Sequence, residues 1–158
     1  MNPIEIHLRL NHFPIIGLIV LFVLFIYAYF FKKNEIIVAC KVGFVLLSLI
    51  SIAVSLSGEE SEELLEHKSG YNSEEMHEHE EHAEQAYVAI LIMGAVSLIS
   101  FFFRKNEKMS SRFNAFLIPI GFVVILLMVI TGIHGGKIKH NELGGDFSTT
   151  PIEQENDE

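Results

Sequence analysis

The chain has 158 residues, half of them apolar, with 20 acidic against 11 basic side chains and a formal charge of −9. Eleven glutamates lie between Glu59 and Glu84 and more acid follows Glu142, so the negative charge belongs to two segments. The few basic residues gather in short turns, which excludes a nucleic-acid surface, and the single cysteine, Cys40, excludes both an internal disulfide and a Cys-x-x-Cys-His haem attachment.

Four apolar runs, residues 13–31, 36–56, 86–103 and 113–133, each match the roughly 20 residues that span a hydrocarbon core of about 30 Å. They predict an all-α membrane protein, four transmembrane helices in a bundle occupying residues 1–140. The segment Met1 to His12 lacks the basic start of a cleaved signal peptide, so the first run is expected to stay as a span. Asn11 is expected to cap it, with Pro14 in the first turn, where its missing N–H is harmless. Tyr27 and Tyr29 anchor its far end at the interface, and Lys32 and Lys33 fill the turn that follows. In the second span Lys41 lies about a turn from the boundary, close enough for its ammonium to snorkel to the headgroups.

The connection 58–85 is acidic and rich in histidine. From Ser73 to Gln85 it has neither Gly nor Pro, so a helix capped by Asn72 or Ser73 is expected to run unbroken into Ala86, extending the third helix outside the membrane. Arg104, Lys105, Lys108 and Arg112 fill the next turn. Pro119 and Gly121 predict a kink in the fourth span, and Gly132, Gly135 and Gly136 mark its end with a close approach or tight turn. Residues 141–158 read as a flexible acidic tail.

Basic turns are retained in the cytoplasm, which places both termini and the acidic connection in the periplasm of a bacterial inner membrane. All eight histidines then share one face: His7, His12, His67, His77, His79, His82, His134 and His140. Imidazole binds metals, carries haem and titrates near neutral pH, so a one-sided set predicts a site. His79 and His82 share a helix face at i, i+3 with Glu75 and Glu78 one turn before them. That face suits one transition-metal ion such as zinc or copper, through two nitrogens and a carboxylate. It is not the zinc-protease motif, whose histidines stand four apart. His12, His79, His82, His134 and His140 come from three different helices in one layer, and imidazoles from different helices can also clamp a b-type haem.

Asn11-His12-Phe13-Pro14, Ser57-Gly58, His79-Glu80 and Gly135-Gly136-Lys137-Ile138-Lys139-His140, taken in this order, resemble the bacterial membrane family catalogued as domain of unknown function 2231. The resemblance covers His12 to His140, with Ser57-Gly58 where the family usually has Thr-Gly. It implies a four-helix membrane domain, in some members fused or adjacent to cytochrome c or other redox domains, from which haem binding is expected, with His12, His140 and either His79 or His82 as its matching histidines.

The leading expectation is an electron-transfer or accessory subunit rather than an enzyme, holding b-type haem at the periplasmic face and exchanging electrons with quinol or a cytochrome partner. The alternative is a periplasm-facing metal-binding or sensing protein using Glu75, Glu78, His79 and His82. A cofactor-free helper subunit is the third reading. The lipid bilayer is the expected surrounding in each case, self-association into a homo-oligomer is compatible with all three, and nucleic acid is not a partner in any.

Overall fold

The computed structural model describes the backbone of residues 7, 10–66 and 73–144, and the side chains of residues 7, 10–59 and 77–134. Among them are four helices: α1 (His12–Phe30), α2 (Asn34–Glu66), α3 (Ser73–Phe102) and α4 (Glu107–Gly144). Each contains a stretch long and apolar enough to cross a membrane, and the chain is a multi-pass membrane protein of the all-α class. Lipid offers no hydrogen bonds, so each spanning segment must satisfy its own backbone, which a helix does. Consecutive helices pack side by side and α1 closes the ring against α4, leaving α1 with α3 and α2 with α4 as the diagonals.

The interior is a set of stripes that advance by three and four residues, the repeat that keeps one helix face turned to its neighbours. On α1 the stripe is Pro14, Leu18, Phe22, Phe25 and Ala28. Phe44 and Leu47 continue it on α2, Ala86, Ile90 and Met93 on α3, and Leu117, Val124 and Met128 on α4. Phe25 and Phe44 meet edge to face at 5.6 Å between ring centres. Two glycines are there for close approach: a Cβ at Gly94 would enter Ser48 of α2, and one at Gly121 would enter the Phe22 ring. The opposite faces carry exposed Val, Leu, Ile and Phe side chains that match a hydrocarbon surrounding.

Several expectations change. Lys41 does not run along the lipid boundary; it is only 4% exposed, because it stands on the inward stripe one turn before Phe44. Asn11 makes no side-chain cap and has helical backbone angles, since the chain is already helical before it, with the Asn11 N–H donating to the His7 carbonyl at 2.9 Å. The helix of the second span continues past residue 56 to Glu66 on strong helix formers. Gly132 neither ends α4 nor admits a close neighbour, and the helix runs on to Gly144, past Asn141, where the tail was expected to begin. Pro119 sits on the exposed side within α4. As expected, α3 is one helix from Ser73 to Phe102, longer than its span.

The turn from α1 to α2 closes in a Schellman pattern: Lys33 N–H donates to Ala28 O at 2.8 Å and Lys32 N–H to Tyr29 O at 3.4 Å. Lys32 therefore takes the left-handed position, with φ of 53°, where glycine is usual. Its charge suits both a helix C-terminus and a basic turn. At the start of α4 the Asn106 side chain accepts from the Met109 N–H at 3.1 Å, a side-chain cap. Lys32→Gly should relieve the left-handed strain and stabilise the bundle by about 1 kcal/mol. Thermal unfolding in detergent checks this; a lowered midpoint would show that the lysine charge outweighs its backbone strain.

Candidate functional site

The interior stripes do not stop where the apolar residues do. On α3 the series Ser100, Ser97, Met93, Ile90 and Ala86 continues backward to His82 and His79. Before α1, the series Leu18 and Pro14 continues to Asn11 and His7. His134 stands one turn beyond Thr131, which follows Val124 and Met128 on α4. Polar residues thus occupy the next interior rung of three helical segments, and four half-buried imidazoles meet in one layer at the end of the bundle away from the basic turns.

Two of these imidazoles are tied to backbone carbonyls. His79 Nδ1 lies 3.1 Å from Thr131 O of α4, and His7 Nδ1 lies 3.2 Å from Val54 O and 3.3 Å from Ser57 Oγ of α2. A carbonyl oxygen has no proton to give, so in each pair Nδ1–H donates and the Nε2 lone pair remains available. His7, His82 and His134 all lie close enough to His79 for their charges to be felt there.

The other two imidazoles pair with each other. The His82 and His134 rings are 5.0 Å apart between centres and tilted by 37°. Glu78 Oε2 approaches His134 Nδ1 to 3.3 Å, within ion-pair range for a protonated imidazole. Among the described residues, the Nδ1 atoms of His82 and His134 are both buried without a hydrogen-bond partner, and so is Asn11 Oδ1 on the stripe below His7. Buried polar atoms are ordinarily paired. Three orphaned atoms in one layer mark it as the part of this end that the protein's own contacts leave incomplete.

The histidines and glutamates singled out from sequence take different places. His79, His82 and His134 converge and Glu78 borders them, but His12 points to the exposed side of α1, one residue off the stripe that carries Asn11 and His7. His77 is exposed and pairs loosely with Glu80 at 3.9 Å. His67 and the side chains of Glu75 and His140 lie outside the described residues. His7 is the participant that motif reading passed over. The signal was present: counting back from Leu18 by four and three reaches Pro14, Asn11 and His7, and never His12. Among the described residues, no three His, Cys, Asp or Glu side chains are grouped as a ready coordination sphere, so closing one calls for rotation of the unbonded His82 and His134 rings.

No family model, curated protein or solved structure matches this chain.

Burial pushes the His7 pKa below its ordinary value, and the bond to Val54 partly offsets the shift. The docked ring is therefore favoured in its neutral form: docking holds above the usual histidine range and is lost as pH falls through the lowered value. His79 is the titratable neighbour it faces across the layer. In an NMR titration of the full chain in micelles, His7 should titrate below the free-histidine value of about 6.5. A midpoint at or above that value would show the ring to be undocked in solution.

Proposed function

We propose that this protein binds a transition-metal ion, zinc or copper in type, at the histidine end of its membrane bundle, with His79, His82 and His134 as nitrogen ligands and Glu78 as the bordering carboxylate. The observation that carries the reading is the convergence of His82, whose buried Nδ1 has no hydrogen-bond partner among the described residues, and His134, whose Nδ1 is met by Glu78 Oε2 at 3.3 Å, beside His79, whose Nδ1 is held by Thr131 O. A metal-binding histidine characteristically donates its other ring nitrogen to a carbonyl or carboxylate, which sets the tautomer and steadies the ring. Three neutral imidazoles and one carboxylate make a four-coordinate set that zinc accepts. Borderline ions prefer such nitrogen donors, whereas magnesium and calcium call for oxygen.

The geometry favours a single ion over haem. Two imidazoles on opposite sides of one metal, each with a metal–nitrogen bond of about 2 Å, place their ring centres about 6 Å apart. His82 and His134 stand at 5.0 Å, so a haem between them would have to part the rings and open a slot for its macrocycle. With His12 on the exposed side of α1, the haem clamp expected from it also lacks its pocket wall. The positive-inside rule, applied to Lys32, Lys33 and Arg104 to Arg112, orients the metal end toward the periplasm of a bacterial inner membrane.

Zinc and copper titrations of the purified protein in detergent test the chemistry. His82→Ala and His134→Ala should each weaken binding by about 10-fold to 100-fold, while His77→Ala, on an exposed ring, should leave it within about twofold of the parent, an exposed residue well away from the site being nearly neutral. Absence of binding, or binding indifferent to His82 and His134, would refute the proposal; a Soret band in the purified protein would restore the haem reading in its place.

Orientation is tested separately, in a Cys40→Ser background. A membrane-impermeant maleimide applied to intact cells should label Glu59→Cys and not Lys105→Cys. The reverse pattern would turn the histidine layer toward the cytoplasm.

A further inference from the structure

We propose that His7 completes this centre as a fourth nitrogen ligand, taking the coordination position otherwise left to the bordering Glu78 carboxylate, so that metal capture fixes His7, one turn before Asn11, against α2. The inference rests on the metal reading above and adds a structural consequence to it. His7 is one helical turn before Asn11 on the inward stripe of α1, joined to it by the backbone bond from Asn11 N–H to His7 O. Its ring lies over Gly58 of α2, where a Cβ would come within 3.1 Å of Cε1 and 3.4 Å of Nδ1. Gly58 lies in the middle of a continuous helix, well short of its end at Glu66, and makes no turn. What its missing side chain provides is a seat for an imidazole.

The seat also orients the ring. Nδ1–H donates to Val54 O, the same carbonyl that accepts the Ser57 hydroxyl at 2.9 Å, which leaves Nε2 as the free donor atom. His79 has the same arrangement through Thr131 O. These two histidines belong to α1's segment and to α3, one of the two diagonals of the bundle, so an ion that takes both sits on the central axis rather than at one helix pair. With His82 and His134 the set then draws on three helical segments, while α2 supplies the seat. An ion held this way couples its own occupancy to the docking of His7 on α2.

Two variants separate the ligand role from a packing role. His7→Ala removes the donor. Gly58→Leu leaves all the histidines in place and fills the seat, displacing the ring. Zinc alone is titrated into the full-length protein in detergent, with helical content followed by circular dichroism to confirm folding. Both variants should bind zinc about tenfold or more weakly than the parent, as loss of a ligand or of its support does. A second readout follows the turn that carries His7: in a Cys40→Ser background, maleimide labelling of Leu10→Cys should slow on addition of zinc, and should not slow when His7→Ala is added. Zinc binding by the parent that is undiminished in both variants, with labelling unaffected by zinc, would overturn the role of His7 while leaving a His79, His82 and His134 centre intact. No zinc binding by the parent would overturn both readings together.

Discussion

The constraint on which the rest of this structure depends is the continuity of a helix face. Once four helices pack side by side with interior residues three and four apart, any side chain at the next step of the repeat is drawn into the same interior, whatever its chemistry. Phenylalanine, leucine and methionine fill the middle rungs. The rung beyond them holds His7, Asn11, His79, His82 and His134, and the register that packs Phe22 into the gap at Gly121 and Ser48 into the gap at Gly94 is the one that gathers those imidazoles.

Lipid makes the chemistry of that interior selective. Most of the hydroxyl groups here enter by bonding to their own helix: Ser48 donates to Val45 O, Ser51 to Leu47 O and Ser100 to Ser97 O, and Thr131 donates to Leu127 O in the same way, while Ser97 Oγ is buried without a partner among the described residues. The bonded ones bring small volume without an unmet hydrogen bond and let the backbones approach. An imidazole is too large and too rigid to fold back on its own turn. His7 and His79 therefore bond across to a neighbouring helix, and His82 and His134, lacking such a carbonyl, face one another.

The opposite end of the bundle is arranged by other forces. Its turns are short and basic, and the first accepts a lysine in a left-handed conformation. Lys41 and Ser97 occupy matching positions inside, each one turn from the contact where Gly94 meets the Phe44 carbonyl. Imidazole groups thus collect at one end of the spans, and the basic turns, with Glu35 and Glu107 in the first turns of α2 and α4, lie at the other, a separation that follows the bundle axis and not any single helix.

Much of this was legible in the linear chain. Four apolar runs of spanning length determine four helices, because lipid permits little else; histidines placed only ahead of the first span, in the second connection and after the fourth span determine that they share an end; and a stretch from Ser73 without glycine or proline determines that the third helix outruns its span. Composition and spacing are sufficient there, since each property belongs to one segment and its solvent. Which histidines meet is a different kind of fact. His12 is as close to the first span as any, yet it points outward, while His7, in a short mixed stretch of no distinct motif, docks on Gly58 about fifty residues along. Lys41 has the reach to snorkel but stands on the buried stripe. The rotation of each helix about its own axis decides these cases, and that rotation is set by how knobs such as Phe22 and Ser48 find gaps on neighbouring helices, an agreement among four segments that no one of them carries alone.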